Sequence, residues 1–233
     1  MAVRPVNVNP HVICAALAWH DEDPEVLYRA TSSLAGCATV LVALPGPWWP
    51  WEGEAEHSHA QQQYAIADGA TAAGMGYYVG TAQQWPSQQV KRSALMAAAA
   101  ATGASWLFVI DADEWVAACD QPALYAALAA TDRDVAALEL RVLPHGARGY
   151  SGGIRRLYRA STAVRVHGAH NGYRTADGRW LHGDSAHVPV ERPADCTAHL
   201  ALCHAYRQRS PRRNAADIAY RSERRAAGQE AWA

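Results

Sequence analysis

The sequence predicts an α/β protein in which helices flank a mostly parallel sheet. In the first half of the chain, apolar strand-like runs alternate with helical segments in the order βαβαβαβ. Of the 233 residues, 50% are hydrophobic and 18% are charged, so the chain is able to bury a sizeable core. The fourth apolar run ends abruptly in two aspartates, a pattern typical of a buried strand that reaches a ligand site.

The elements of the first half follow from their apolar runs and from the residues that bound them. Pro24 is well placed near a helix start, and Gly36 and Gly103 are well placed just beyond helix ends. The second strand ends at Pro45-Gly46-Pro47. The predicted strands cover residues 11–17, 38–44, 76–79 and 106–110, and the predicted helices cover residues 25–34, 57–73 and 88–102.

The second half of the chain is more irregular. It predicts a helix over 122–130, a strand over 135–142, and a hairpin at Asp177-Gly178, which lies between Tyr173 and Trp180. An arginine-rich helix is predicted over 211–228. Since no low-complexity linker separates the halves, we expect one domain over 1–233. The first half, 1–116, is an α/β unit of the nucleotide-binding type. The more irregular second half, 117–233, would shape the site for a second substrate, and we call it the acceptor half.

Composition and charge narrow the functional classes. The formal net charge of −1 provides no overall field to attract nucleic acid or an anionic membrane. Five cysteines without a C-x-x-C pair are typical of reduced, buried thiols. The apolar run over 12–19 is too short to span a bilayer and no signal peptide is evident, so we expect a cytoplasmic protein with no transmembrane segment.

The sequence Asp111-Ala112-Asp113 is the strongest chemical signal. In an extended chain, residues two apart point to the same side, so both carboxylates would converge at the carboxyl end of the fourth strand. Two hard oxygen ligands suit Mg²⁺ or Mn²⁺, ions that are usually shared with substrate phosphates. The alternative interpretation is two solvated acids that cap the next element.

Around these aspartates, the chain resembles the family 2 glycosyltransferases, which have the GT-A fold. The resemblance comprises Lys-Arg-Ser-Ala-Leu at 91–95, an alanine-rich helix, Gly103, Trp106 and Asp-Ala-Asp-Glu at 111–114. Residues 15–23 resemble the family's first strand and acidic turn. Arg-Arg-Leu-Tyr-Arg at 155–159 with Gly-Ala-His at 168–170, and His204 before an arginine-rich helix, resemble later blocks. The pattern is closest to soluble lipopolysaccharide-type or bacteriophage-type members.

The resemblance implies transfer of a hexosyl or related sugar from a nucleoside diphosphate sugar to an acceptor hydroxyl, with Mn²⁺ or Mg²⁺ as the cofactor. By that match, Asp113 would coordinate the cation and Asp111 would hold the ribose or the cation. The candidate donor-binding residues are Asp21, Glu22, Lys91, Arg92, Asp111 and Arg156. For Lys91 and Arg92, a solvated helix start is the alternative interpretation.

The chain departs from the family pattern at three points. Leu44 is followed by Pro45 rather than by the aspartate that commonly reads the base, and Asn171 replaces the glutamate of a His-Glu pair. The Gln-x-x-Arg-Trp motif of polymerising synthases is absent from the sequence. The general base is not identified by the pattern, and its candidates are Glu114, Asp184, Glu191 and Asp195.

Histidines and tryptophans supply further candidates. His204 would complete the metal site, and His170 is a less favoured candidate for the same role. The alternative interpretation for both histidines is an ordinary polar residue at the edge of the core. Trp48, Trp49 and Trp51 lie in a Pro/Gly-rich loop and would hold the acceptor, unless they anchor that loop on the core. A soluble acceptor is favoured, and a modified DNA base, a glycan and a protein all stay open.

Two other functional classes stay open. An apolar strand ending in Asp-x-Asp is also typical of haloacid-dehalogenase-type phosphatases, in which Asp111 would be the nucleophile. Those enzymes usually have Thr or Ser where this chain has Trp115, and they place the motif near the N-terminus. The second alternative is a catalytically silent nucleotide-sugar-binding module.

Overall fold

A computed structural model describes residues 12–48, 55–143, 153–161, 165–167, 172–182 and 191–205, and the single positions 215, 218, 219 and 222. Its strands are β1 (Ile13–Ala18), β2 (Val40–Leu44), β3 (Gly76–Val79), β4 (Trp106–Asp111), β5 (Glu114–Cys119), β6 (Val135–Leu143), β7 (Ile154–Arg159), β8 (Arg165–His167), β9 (Gly172–Arg174), β10 (Trp180–His182), β11 (Ala194–Asp195) and β12 (Leu200–Ala205). Its helices are α1 (Pro24–Ser32), α2 (His59–Ala72), α3 (Gln88–Ala100) and α4 (Gln121–Ala130).

The large sheet has the strand order β3-β2-β1-β4-β7-β6-β12-β5, and β11 pairs with β6 beside this path. Strands β1 to β4 pair in parallel, and β6 is parallel to β12, whereas β7 and β5 run antiparallel to their neighbours. The fold is therefore a mostly parallel sheet flanked by helices, as the sequence predicts, and it is consistent with a Rossmann-like GT-A fold.

The sheet curls strongly between β4 and β5. Only Ala112 and Asp113 separate these two strands in sequence, yet β4 lies near the middle of the sheet and β5 lies at its edge, beside β12. The edge of the sheet must therefore turn back towards β4. This curl brings β12, from the end of the described chain, next to the aspartates that follow β4.

Both faces of β1 are buried, which explains why its sequence is apolar throughout. Ile13 and Leu17 point into one core with Leu27 of α1 and Ile66 of α2. Alternate residues such as Cys14 point into a second core on the other face, which α3 covers. Burial on both faces is typical of strands inside a parallel sheet.

Each of the helices α1 to α4 begins at a capping side chain. Asp23, Ser58, Ser87 and Asp120 each accept a hydrogen bond from a backbone N–H of the first helical turn. Pro24 opens α1, as its position in the sequence predicts. The helix starts are thus determined by local sequence.

The predicted helices and strands that lie in the described residues are confirmed to within a few residues, but the sequence predicts no bounds for β5, β7, β8, β11 and β12. Strand β5 is not evident from the sequence, because it starts with an acid directly after a two-residue turn and pairs with β12, far along the chain. The Asp-Gly hairpin is confirmed as β9 and β10, which form a small sheet with β8. The predicted terminal helix over 211–228 lies outside the described residues, apart from the four single positions given above, which are helical.

Within the described ranges, no helix has both the length and the apolar character that crossing a bilayer requires.

Candidate functional site

The carboxyl ends of the parallel strands meet at one edge of the sheet, and most predicted site residues lie there. Asp111 is the last residue of β4, and it is in register with Ala18 at the end of β1. His204 lies near the end of β12, whereas Arg156 lies near the start of the antiparallel β7. The topology therefore brings together residues from distant parts of the sequence, at the edge where α/β sheets bind ligands.

Two arginines hold the carboxylate of Asp111. Arg92 Nη2 lies 2.6 Å from Oδ1, and Arg156 Nη2 lies 2.8 Å from Oδ2, so each oxygen accepts one bond. Burial opposes ionisation here, but Arg92 and Arg156 together hold the pKa of Asp111 well below its usual range. Asp111 is therefore a fixed anion whose charge is already balanced.

Glu114 closes the turn that follows Asp111. Its Oε2 accepts a hydrogen bond of 2.9 Å from the Asp111 backbone N–H, and its Oε1 lies 2.5 Å from Arg156 Nη2. Burial raises the pKa of Glu114 to about 7, against the opposing effect of the Arg156 charge. Its side chain is 1% exposed. Glu114 thus holds the turn from inside the protein. A general base has to face the acceptor, and the buried Glu114 does not.

Asp113 points towards His204. The antiparallel register pairs His204 with Glu114, the neighbour of Asp113, and Asp113 Oδ2 lies 3.3 Å from His204 Nε2. The hydrogen bond with Asp113 raises the pKa of His204 above its ordinary value. A carboxylate oxygen and an imidazole nitrogen are thus side by side, beside the neutralised Asp111.

Tyrosines that the sequence analysis did not select lie against the arginines. Tyr173, from the Asp-Gly hairpin, packs its ring 4.4 Å from that of Tyr158, and both side chains are buried. Burial raises the pKa of Tyr173, while the charges of Arg92 and Arg156 oppose that shift. The signal for Tyr173 was the aromatic residue beside the Asp-Gly turn, which predicted the hairpin but not its contact with the site.

Asp21 and Glu22 follow β1 and are both buried. The carboxylate of Asp21 accepts backbone N–H bonds from Glu56 and His57, at 3.1 and 3.0 Å, and its backbone has a left-handed φ of +50°. The backbone N–H of Glu22 donates to Gln62 Oε1 at 2.9 Å. These contacts attach the segment before α2 to the end of β1. Donor binding by Asp21 and Glu22 stays a prediction.

Lys91 is directed inwards rather than towards a ligand. Its Nζ donates to the carbonyl oxygens of Trp19 and Gly46, at 2.8 and 2.6 Å, and only 3% of the residue is exposed. Burial, together with the charge of Arg92, lowers the pKa of Lys91 well below its ordinary value. Lys91 therefore joins the chain beyond β1 to the chain beyond β2 and acts as a positioning residue in this structure.

The turn after β2, which contains Pro45, is fixed by its packing. Gly46 has a φ of +100°, and a Cβ atom there would lie 1.9 Å from the carbonyl oxygen of Gln83. Trp85 Nε1 donates to the carbonyl oxygen of Pro45 at 2.7 Å. Trp48 packs in part against the core, which favours the anchoring interpretation for this residue. Trp49 and Trp51 lie outside the described residues.

The other general-base candidates lie elsewhere or outside the described ranges. Glu191 bonds to Asp134 and Arg179 near the start of β6, at the opposite end of the strands. Asp195 accepts hydrogen bonds from the backbone N–H and the hydroxyl of Thr197. It pairs with Ala137 of β6, whereas His204 pairs with Val142, much nearer the carboxyl end of the same strand. Neither carboxylate therefore reaches the site. Asp184 and His170 lie outside the described residues.

No protein-family model and no curated protein matches the chain. Two crystal structures of S. aureus TarS align with 64% of it, at 10% identity and a TM-score of 0.45. Mannose-1-phosphate geranyltransferase from Thermus thermophilus aligns with 56%, at 21% identity and a TM-score of 0.29. The chain spans only 28%, 47% and 41% of these three structures. Such partial likenesses do not establish a family, and the site geometry must support any functional conclusion.

Proposed function

We propose that the protein is a metal-dependent glycosyltransferase that uses a nucleoside diphosphate sugar as its donor. The observation that supports this best is the pair formed by Asp113 and His204 at the carboxyl edge of the sheet. The pair lies beside Asp111, whose charge two arginines already balance. An oxygen and a nitrogen ligand at a strand end suit a cation that is shared with a bound diphosphate.

The donor set fits such a cation only if the substrate completes it. Within the described parts of the chain, no group of three or more His, Cys, Asp and Glu side chains is arranged to hold a metal ion. Two protein ligands are typical of Mg²⁺ and Mn²⁺ sites that share the ion with substrate phosphates and water. We therefore expect the cation and the nucleotide to bind together.

The charge balance of the site also favours a cation. Arg92 is paired with the carboxylate of Asp111, and Arg156 is paired with the carboxylates of both Asp111 and Glu114. Neither arginine can bind a diphosphate fully without giving up a buried ion pair, a loss that is costly. A divalent ion held by Asp113 and His204 would supply positive charge that offsets the charge developing on the leaving diphosphate.

The remaining residues of the site would orient the donor. Asp111, fixed by its arginines, presents a rigid anion to the ribose hydroxyls, and Glu114 keeps the turn between the aspartates closed. Lys91 and Asp21 hold the chain segments beyond β1 and β2 in place, where the nucleoside would lie. Rigid placement of this kind reduces the entropic cost of reaching a reactive arrangement.

The acceptor and the base complete the proposal. A soluble acceptor hydroxyl, on a glycan, a protein or a modified DNA base, would approach from the acceptor half. Trp49 and Trp51, from the loop after β2, stay candidate acceptor contacts, whereas Trp48 packs in part against the core. Asp184 stays the candidate general base, since Glu114, Glu191 and Asp195 all have other partners. The phosphatase alternative requires Asp111 as a nucleophile, yet both of its oxygens accept bonds from arginine.

Thermal-shift binding of UDP, GDP, ADP and CMP, each with and without Mn²⁺, tests this function. For the wild-type protein we expect one diphosphate nucleotide to stabilise the fold only when Mn²⁺ is present. A ligand at ~100 times its Kd adds ~2.7 kcal/mol to the free energy of unfolding. Asp113→Asn should lose that shift. Asp132→Asn, an exposed aspartate away from the site, should keep it.

Turnover of the matching nucleotide sugar then separates the alternatives. Release of the nucleoside diphosphate, lost in Asp113→Asn and kept in Asp132→Asn, would support the transferase. Binding without any turnover of donor, with or without acceptors, would identify a silent binding module instead. Absence of a shift with every nucleotide would contradict the proposal.

A further inference from the structure

Two cysteines that are distant in sequence have adjacent side chains away from the candidate site. Cys37 follows α1, and Cys119 is the last residue of β5. The Cys119 thiol donates a hydrogen bond of 3.8 Å to the carbonyl oxygen of Gly36, the residue that precedes Cys37, and each of the two thiols shifts the pKa of the other. Both are free thiols. The structure therefore places two reduced thiols side by side.

The packing around the pair keeps these sulfurs together. Ser33, which ends α1, accepts a hydrogen bond of 2.9 Å through its Oγ from the backbone N–H of Val116 in β5. Cys37 is bound to the same helix end, because its backbone N–H donates to the carbonyl oxygen of Leu34 at 2.9 Å. The end of α1 therefore holds both the strand that carries Cys119 and the backbone of Cys37.

The two thiols differ in access and in acidity. Cys37 is fully buried, whereas Cys119 is only half-buried and can be reached from solvent. The adjacent Cys37 thiol lowers the pKa of Cys119 despite the opposing effect of burial. By contrast, burial raises the pKa of Cys14 and of Cys196 to about 11. Cys119 therefore has more reactive thiolate character than these buried cysteines.

We propose that Cys37 and Cys119 form a peroxide-sensitive dithiol, in which Cys119 is oxidised first and Cys37 converts the product to an intramolecular disulfide. The Cys119 thiolate attacks one oxygen of a hydroperoxide, the O–O bond breaks, and Cys119 becomes a sulfenic acid as hydroxide or alkoxide leaves. The Cys37 sulfur then attacks Cys119 Sγ, the S–O bond breaks, and water leaves with the thiol proton. The two sulfurs supply the two electrons that reduce the peroxide.

This dithiol lies apart from the candidate active site. Cys119 and Glu114 are the two ends of β5, so about 16 Å of strand separates the thiols from the turn with Asp113. The disulfide would join residues about eighty positions apart and attach the end of β5 covalently to the chain after α1. We therefore expect oxidation to raise the melting temperature. The inference does not depend on the proposed transferase function.

Peptide mapping of the full chain under non-reducing conditions tests the proposal. The reduced protein, freed of reductant, is treated with hydrogen peroxide at a low molar ratio. We expect loss of two hydrogen atoms in the intact mass, one disulfide between the peptides of Cys37 and Cys119, and complete reversal by dithiothreitol. Cys14 and Cys196 should stay reduced. Persistence of both thiols, or a disulfide between other cysteines, would overturn the proposal.

Two variants separate the roles of the cysteines. Cys119→Ser removes the accessible thiol, so Cys37 should resist peroxide and no disulfide should form. Cys37→Ala should leave Cys119 as a sulfenic acid that a dimedone probe labels. Cys203→Ser is the matched control, since this buried cysteine on β12 is outside the pair, and it should oxidise as the wild type does. Cys37 is in the core, so the Cys37→Ala variant could fail to fold, and in that case the Cys119→Ser variant provides the test by itself. A disulfide formed in the Cys119→Ser variant would contradict the proposal.

Discussion

Two networks of arginines and carboxylates lie at opposite ends of the same strands, and their arginines differ in exposure. The site network consists of Arg92, Arg156, Asp111 and Glu114. The opposite-edge network consists of Arg159, Arg179, Asp134 and Glu191. The arginine side chains are 10% and 13% exposed in the first network but 28% and 49% exposed in the second.

The difference shows that similar ion pairs serve different purposes in this fold. The arginines of the opposite-edge network are the more exposed, so water screens their pairs more strongly, and this network chiefly holds the hairpin against the start of β6. Buried pairs are costly to form and very costly to break, and they keep the turn with the two aspartates in one arrangement. We therefore expect single substitutions to separate the two networks clearly.

Arg156→Met should have the largest effect on stability. Because Arg156 bonds to both Asp111 and Glu114, its loss leaves the buried carboxylate of Glu114 and the partly buried carboxylate of Asp111 without that partner. We expect the free energy of unfolding to fall by roughly 3–5 kcal/mol, as measured by urea denaturation at pH 7. If the free energy of unfolding falls by less than about 1 kcal/mol, the site network contributes no more to stability than an exposed network does.

Acidification should destabilise the protein through His182, whose ring lies edge-on to that of Tyr173. Burial, together with Arg155 and Arg156, lowers the pKa of His182 to about 4, so the unfolded chain binds the proton first. Stability should therefore fall as the pH drops from about 6.5 to about 4, by up to about 3 kcal/mol from this residue. His182→Gln should lose that part of the dependence, and parallel wild-type and variant curves would refute the assignment.

Lys91→Met should have an intermediate effect. The substitution keeps the aliphatic packing but leaves the carbonyl oxygens of Trp19 and Gly46 without their donor. Unsatisfied buried acceptors of this kind cost roughly 1–3 kcal/mol, which chemical denaturation can measure. Unchanged or increased stability would show instead that the cost of burying the amine exceeds the value of its two bonds.

Arg179→Met is the matched control in the exposed network and should have the smallest effect. Arg179 bonds to Asp134 and Glu191, but its side chain is half exposed. We expect a loss of at most about 1 kcal/mol, and a smaller one at high salt. A loss as large as that of Arg156→Met would remove the distinction between the two networks.

The two aspartates of the Asp-x-Asp motif show what sequence reasoning reaches and where it ends. The apolar run and the paired carboxylates predicted that both acids lie at a strand end, and the structure agrees. Sequence analysis treats them as equivalent metal ligands or as a ligand and a ribose contact. In the structure, Asp111 bonds to two arginines, whereas Asp113 faces His204. Partners from α3, β7 and β12 make that difference, and no local pattern reports them.

Local sequence is sufficient to predict the alternation of strands and helices, the helix starts and the strand end that carries the acids. These features depend on local periodicity, on capping side chains and on proline and glycine, which act within a few residues. Long-range packing is what turns Lys91 inwards, pairs β5 with β12 and brings Cys119 beside Cys37. Those outcomes depend on the order and curl of the strands, because burial and charge pairing are set by contacts between residues that are distant in the chain.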